Sequence, residues 1–263
     1  EPSAAAVTWT FSAEYAEHLS PGISIRSLLA LASQLDGHGI PGAVFTTLAV
    51  SQYLAGDGAA QPMDPQRTWN AILSLRQAGL MTVDPPGTPP AVRISPVIQA
   101  VIRAAMPDAV YDQAAVTAAD ALLEVWPTQE PRSRLAADLL ACAASLKRCA
   151  GDVLWADDRC HPLLVLAGQS LDSAGLIGPA VGYWRELTAD SERILGTGSL
   201  ETLMITGYLG EALMAAWQAA EAVSWFQRVL DGRSSVLGPD HPDAIAAKVS
   251  LGRALVAVGR ADD

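Results

Sequence analysis

The sequence predicts a mainly α-helical protein, in which a small module containing a β-hairpin is followed by stacked helix pairs. Half of the 263 residues are hydrophobic but only 6% are aromatic. This mix suits closely packed helices better than a β-sandwich, which is rich in β-branched and aromatic residues. Apolar residues recur at helical spacing along most of the chain. The C-terminal part also repeats itself at a constant interval, which is typical of arrays of helix pairs.

The first part of the chain, residues 1–106, predicts a winged-helix-like domain. Three helices are expected, over residues 25–35, 43–54 and 65–78. In the third helix Asp64 supplies the N-cap and Pro65 the first helical residue, and Gly79 ends the helix. The apolar residues of this helix are expected to face the core; they are Trp69, Ile72 and Leu73.

A hairpin and a closing helix complete this domain. Residues 80–83 and 91–94 flank a turn rich in proline and glycine, which predicts two short antiparallel strands. The closing helix is expected to begin at Pro96 and to run through Met106.

A winged helix suggests DNA binding, with the third helix as the reading element. The polar and cationic residues of that helix are Gln66, Arg67, Asn70, Arg76 and Gln77, and the wing carries Arg93. A duplex-binding domain concentrates positive charge, whereas this chain has 17 basic against 28 acidic residues and a net charge of −11. DNA-binding transcriptional regulation is therefore the alternative, behind a role in packing or contact between domains.

Composition also argues against a membrane protein. No apolar run approaches the ~18 residues of a membrane span, and the N-terminal residues lack the pattern of a signal peptide. The acidic balance disfavours binding to anionic lipid surfaces. We therefore expect a cytoplasmic protein.

The second part, residues 107–263, predicts a superhelix of helix pairs. Equally spaced glycines lie on the first helix of each pair, at Gly168, Gly210 and Gly252. Large aromatic residues lie on the second helix, at Trp184 and Phe226. The glycine allows the partner helix to approach closely, and the aromatic ring fills the space that it leaves. Because such pairs cannot bury their apolar faces alone, they are expected to stack.

Catalytic and metal-binding motifs are missing from the sequence. The three cysteines, Cys142, Cys149 and Cys160, are expected to be reduced thiols, since they are odd in number and lack zinc-type spacing. His161 and His241 each precede a proline at a predicted helix start, which favours helix capping over catalysis or ligation. The chain contains no phosphate-binding loop and no hydrolase motif. It is predicted to be non-catalytic, without metal or cofactor.

Two resemblances cover nearly the whole chain. Residues 234–243, Ser-Ser-Val-Leu-Gly-Pro-Asp-His-Pro-Asp, followed by Leu251-Gly252, resemble the 42-residue tetratricopeptide repeat of kinesin-light-chain type. Residues 1–106 are similar to the winged-helix segment that follows the nucleotide-binding domain in bacterial STAND-class signalling ATPases. The segments that carry this likeness are residues 8–12, 28–32, 39–41 and 97–103. The arginine-rich, lysine-poor composition resembles that of actinobacterial proteins.

These resemblances imply a regulatory or sensor region. Its repeats would bind a protein, a peptide or another domain of the same full-length protein on their concave face. The winged-helix arm would then relay binding to an ATPase segment outside this chain. Related repeats hold peptides with Asn and Arg, but the Asn positions here are Tyr208 and Ser250 and the Arg positions are Thr206 and Lys248. The inner surface is instead expected to present Gln169, Tyr208, Glu211, Ser250 and Arg253.

Overall fold

The computed structural model describes residues 14–18, 22–56, 60–84, 90–127 and 133–259. The chain divides into two compact units, Glu1–Leu154 and Trp155–Asp263. Helices dominate both units, which confirms the predicted mainly α fold. None of the described helices is both long and apolar enough to cross a membrane.

The described residues of the first unit form six α-helices and a three-stranded sheet, preceded by a helical segment at residues 14–18. The helices are α1 (Ile25–Gln34), α2 (Leu48–Ala55), α3 (Pro65–Gln77), α4 (Pro96–Ala105), α5 (Asp108–Val125) and α6 (Arg134–Ala150). The strands are β1 (Ile40–Pro41), β2 (Thr82–Val83) and β3 (Ala91–Arg93), arranged antiparallel in the order β1-β3-β2. The predicted hairpin is β2–β3, in which Thr82 lies opposite Arg93.

Two local predictions for this unit are wrong. The helix expected over residues 43–54 is divided, because Gly42–Thr46 forms a 3-10 turn and Thr47 then caps α2. In α3 the predicted core face is only partly correct. Ile72 is buried as predicted, but Trp69 and Leu73 are half-buried, and the buried face is completed by Thr68, Ala71 and Leu75. Both sets have the spacing of a helix face, so periodicity alone did not distinguish them.

Helix α1 forms the centre of the first unit. From Leu28 to Ala32 each residue is fully buried, because α4, α5 and α6 pack around this helix. The carbonyl groups at its C-terminal end have no partner within the helix. They are satisfied by α4, where the Gln99 amide donates to the carbonyls of Ala32 at 3.0 Å and Leu35 at 2.9 Å.

Helices α5 and α6 belong to the first compact unit, whereas the sequence predicted a boundary at 106/107. Helix α5 packs on both α1 and α2. Its Glu124 carboxylate accepts hydrogen bonds from the backbone N–H groups of Leu48 and Ala49, each at 2.8 Å. A negative charge at this position also interacts favourably with the positive end of the α2 dipole. These contacts attach α5 to the helices of the first unit.

The second unit consists of a short hairpin and successive helices. The hairpin strands are β4 (Trp155–Ala156) and β5 (Arg159–Cys160), and the helices are α7 (Pro162–Ser173), α8 (Ile177–Leu195), α9 (Leu200–Ala215), α10 (Ala219–Leu237) and α11 (Pro242–Ala257). The helices pack in chain order, α8 on α7, α9 on α8, α10 on α9 and α11 on α10. This arrangement confirms the predicted array of helix pairs.

The predicted contact between glycine and an aromatic ring holds each pair together. A Cβ atom added at Gly210 would lie 2.5 Å from Cε1 of Phe226, and one added at Gly168 would come still closer to the Trp184 ring. Both rings are buried. The repeat register derived from the sequence is therefore the register of the packed helices.

The two histidines cap helices, as predicted. Nδ1 of His161 accepts the backbone N–H of Leu163 at 3.3 Å, and Nδ1 of His241 accepts the N–H of Asp243 at 3.2 Å. A proline follows each histidine as the first helical residue. Each imidazole thus satisfies one of the N–H groups that a helix start leaves without an internal partner.

Two glycines on α9 should respond oppositely to replacement by alanine. Gly210→Ala places a methyl group against the Phe226 ring, where there is no room for it, and should lower the free energy of unfolding by about 1–3 kcal/mol. Gly207→Ala on the same helix meets no atom within 4 Å and should raise it by about 0.5–1 kcal/mol, because alanine favours a helix more than glycine does. Urea denaturation measures the free energy of unfolding of both variants. If both substitutions raised it, or both lowered it, the assigned packing would be contradicted.

The Glu124 cap can be tested in the first unit. Glu124→Ala removes both acceptors at the start of α2 and should lower the free energy of unfolding by about 0.5–2 kcal/mol. Asp112→Ala is the matched control, because Asp112 is an exposed carboxylate on the same helix and its removal should change stability by less than about 0.5 kcal/mol. Equal effects of the two variants in urea denaturation would exclude the capping role.

Candidate functional site

The predicted inner surface lies on the first helices of successive pairs, α7, α9 and α11. Gln169, Glu211 and Arg253 occupy the same position in three successive repeats, since their spacing along the chain is equal. The Gln169 amide on α7 donates to the Tyr208 hydroxyl on α9 at 3.0 Å. The side-chain pair therefore connects two successive repeats.

A second cluster connects α9 to α11. Oε1 of Glu211 accepts the Ser250 hydroxyl at 3.1 Å, and both carboxylate oxygens lie 3.3 Å from Nη1 of Arg253. Tyr208 and Glu211 are at positions i and i+3 on α9 and so share one helix face. The five predicted residues are thus brought together as two hydrogen-bonded clusters along adjacent helices.

Tyr208 is held in place by the core of the preceding pair. Its ring stacks on Trp184, with centroids 4.8 Å apart and an interplanar angle of 17°. The Trp184 indole N–H in turn donates to the Asp172 carboxylate at 2.9 Å. Partial burial raises the pKa of Asp172, while the hydrogen bond from the indole opposes this rise. Trp184, which fills the space over Gly168, therefore also orients Tyr208 on the candidate surface.

A cavity of about 250 Å³ lies between α9, α10 and α11; we call it the repeat groove. Its apolar lining residues are Met204, Phe226, Val229, Ala246 and Ala247. Its polar lining residues are Tyr208, Glu211, Ser250 and Arg233. Three of the five predicted residues therefore line one cavity with an apolar floor and a polar rim, the composition expected of a binding pocket.

Sequence reasoning missed Arg233 and the apolar floor of the groove. Arg233 comes from the second helix of its pair, α10, and donates to the Asp243 backbone carbonyl at 3.1 Å. The equivalent position of the preceding repeat holds Ser191, so the repeat gives no signal for it. Phe226 was assigned to the core alone, although its ring also lines the groove.

A larger cavity of about 850 Å³ lies near the β4–β5 hairpin. Its charged lining residues are Asp157, Asp158, Arg159, Glu201, Arg233 and Asp243. Glu201 accepts hydrogen bonds from the backbone N–H and the thiol of Cys160, which attaches the hairpin to α9. Charges of both signs line this cavity, and no three potential ligands among the described His, Cys, Asp and Glu residues converge into a metal site.

Cys142 and Cys160 are poor nucleophiles at neutral pH. All three are free thiols. Burial raises the pKa of Cys142 to about 12 and also raises the pKa of Cys160, where the neighbouring Glu201 adds to the effect. The thiolate is the reactive form of cysteine, so these two side chains stay protonated and serve packing.

The wing arginine is fully engaged within the first unit. Arg93 forms a bidentate ion pair with Asp84 across the hairpin, and its Nε donates to the His38 carbonyl at 2.8 Å. This pairing lowers the pKa of Asp84 and keeps its carboxylate charged. A phosphate would have to compete with this carboxylate for the guanidinium.

Comparison with known proteins identifies the repeats. Residues 200–263 match the family model of the tetratricopeptide repeat, a region that contains α9, α10 and α11. No curated protein and no solved structure matches the chain. Such repeats generally mediate protein–protein interactions and are typically non-catalytic scaffolds. The α7–α8 pair lies outside the matched residues but repeats the glycine–aromatic contact in the same register.

The contact between Glu211 and Arg253 should be measurable as a coupling energy. A double-mutant cycle with Glu211→Ala and Arg253→Ala should give about 0.2–1 kcal/mol at low salt, because both side chains are exposed, and less at high salt. Arg228 is the control, since it pairs with Glu192 instead, so its cycle with Glu211 should give a value near zero. Equal couplings in denaturation experiments would refute the assigned link between α9 and α11.

Proposed function

We propose that this chain is a non-catalytic regulatory or sensor region that binds a protein or peptide in the repeat groove. The observation that carries the proposal is the groove itself, with its apolar floor and its rim of Tyr208, Glu211 and Ser250. The floor offers apolar area to bury, and the rim offers hydrogen-bonding groups that fix orientation. The match of residues 200–263 to a repeat that mediates protein–protein interactions supports this choice.

Glu211 on the rim pairs with Arg253, which lies beside the groove, and a partner can exchange these charges for its own. The side chains of Arg253 and Glu211 are 60% and 43% exposed, so their mutual pairing costs little to open. A peptide carboxylate would replace Glu211 at Arg253, and a peptide cation would replace Arg253 at Glu211. Gln169 and Tyr208 extend the polar surface toward α7.

The proposal includes a relay through residues 1–106. Their helices and hairpin follow the order of a winged-helix module, and their sequence resembles the arm of STAND-class signalling ATPases of actinobacterial type. In that setting a partner, or another domain of the same full-length protein, would occupy the groove. The arm would transmit occupancy to an ATPase segment outside this chain. We place the protein in the cytoplasm on the same resemblance.

DNA binding is less well supported. The guanidinium of Arg93 in the wing is already bound to Asp84 and to the His38 carbonyl. A net charge of −11 opposes approach to a polyanion. Salt-dependent binding of a DNA duplex by the full chain would reverse this preference.

The proposed function is tested by passing a bacterial cell lysate over the immobilised full chain and identifying the bound proteins by mass spectrometry. Tyr208→Ala/Arg253→Ala should lose a discrete partner that the parent retains, with at least about tenfold weaker binding when the purified partner is titrated.

Two controls keep this test specific. Tyr208→Phe preserves the stack on Trp184, and Gln227→Ala alters an exposed residue of α10 outside the groove; both should still capture the partner. Identical capture by the parent and the double variant, or capture of nothing, would refute binding in the groove.

A further inference from the structure

The cavity of about 850 Å³ near the β4–β5 hairpin, which we call the hairpin cavity, adjoins the repeat groove. Met204 on α9 and Arg233 on α10 line both of them. Both cavities lie within the second unit, Trp155–Asp263. A ligand that is seated on the floor of the groove therefore has the hairpin cavity directly beside it.

Helix α9 connects the two cavities along one face. Four of its residues follow each other at intervals of three and four positions and so share that face, namely Glu201, Met204, Tyr208 and Glu211. Glu201 lines the hairpin cavity, and Glu211 lines the groove. With a helical rise of about 1.5 Å per residue, these two carboxylates are spaced by about 15 Å along the axis. About five residues of an extended peptide cover this length.

Helices α10 and α11 pass between the cavities in the same way. On α11, Asp243 lines the hairpin cavity and Ser250 lines the groove. On α10, Arg233 lines both and Phe226 lines the groove. Because α9, α10 and α11 are packed on one another, the groove and the hairpin cavity form one continuous binding surface.

The hairpin cavity gives this surface an excess of negative charge. Four carboxylates and two guanidinium groups line it, for a formal charge of −2. Neither arginine forms an ion pair with a described carboxylate; Arg233 donates instead to the Asp243 backbone carbonyl at 3.1 Å. The charged lining residues are Asp157, Asp158, Glu201, Asp243, Arg159 and Arg233.

Three of these carboxylates have no cation to balance them among the described residues. Asp157 and Asp158 are exposed and form no ion pair there. Glu201 is partly buried, and its Oε1 accepts the backbone N–H of Cys160 at 3.3 Å and the thiol at 3.2 Å, both neutral donors. A buried charge is costly unless it is paired. A cation that entered the cavity would therefore gain interactions that the folded chain does not already make.

The shape of the hairpin cavity fits a cationic side chain better than a metal ion. No three potential ligands among the described His, Cys, Asp and Glu residues converge on one point. The volume of about 850 Å³ instead accommodates a long side chain. Leu200 and Met204 also line the cavity, and they offer apolar contact to the methylene groups of arginine or lysine.

We propose that the partner segment bound by this surface is both basic and apolar. Its apolar side chains occupy the floor of the repeat groove, and one or more arginine or lysine side chains, a few residues away, enter the hairpin cavity. This inference rests on the proposed function, because the segment binds in the repeat groove, and it adds the charge of the partner protein. Such charge complementarity selects among partners and accelerates association.

A synthetic array of randomised peptides of about seven residues tests the proposal, with uncharged ends and the full chain as the binding protein. The peptides that bind should be enriched in arginine or lysine, with an apolar residue within a few positions. The strongest binders are then resynthesised and titrated with the full chain by fluorescence anisotropy. Their affinity should fall between about 50 mM and about 300 mM salt, because salt screens the attraction.

Asp157→Asn/Asp158→Asn tests the hairpin cavity itself. Both aspartates have positive φ, and asparagine tolerates this conformation, so the turn is retained and the thermal midpoint should be unchanged. The variant should bind the basic peptides about threefold or more weakly. Asp108→Asn/Asp112→Asn is the matched control, because it removes two exposed carboxylates outside both cavities. It should bind like the parent.

Three results would overturn the proposal. The first is a set of bound peptides without a preference for basic residues. If Tyr208→Ala/Arg253→Ala abolished their binding, the groove would stand and only the charge of the partner would be wrong. The second is equal weakening in the two double Asp→Asn variants, which would show that only the net charge matters. The third is an array without any bound peptide, which would refute the proposed function as well.

Discussion

The close approach of helices at Gly168 and Gly210 is the constraint on which the second unit depends. Each glycine lies against an aromatic ring of the next helix, at a distance that leaves no room for a Cβ atom. A ring held in this way has a fixed orientation, since packing around it is as dense as in a crystal. For Trp184 the consequence extends to the surface, because Tyr208 stacks on this ring and takes its position from it. The core contact of one repeat thereby places a rim residue of the next.

The features that could be predicted from the sequence are those with a local or periodic cause. The start of α3 at Asp64 and Pro65 follows from capping chemistry, and the contact of Gly210 with Phe226 follows from residues matched between repeats. His161 and His241 were assigned to caps because each precedes a proline, and both cap helices. In these cases the residues that decide the structure are neighbours in the chain or in the repeat.

The features that could not be predicted depend on contacts distant in the chain. Glu124 caps a helix that starts 76 residues earlier, at Leu48. The sequence around Glu124 and around Leu48 gives no indication that the two residues are in contact. Strand β1 is two residues long and forms because Ile40 pairs with Val92. It is too short to show the alternation of apolar and polar residues that predicts a strand. The side chains of the candidate site could be identified from the register of the repeat. Their hydrogen bonds, between Gln169 and Tyr208 and between Glu211 and Arg253, are evident only in the folded structure.

Trp217 shows that a periodic sequence also contains information in its exceptions. The sequence holds Gly175, Trp217 and Gly259 at equal intervals, and the outer two meet a backbone requirement that the central one meets only with strain. A repeat that needed only to fold would favour glycine at all three positions. The groove is built from residues that the packing of the repeats positions, whereas Trp217 is a residue that this packing does not require.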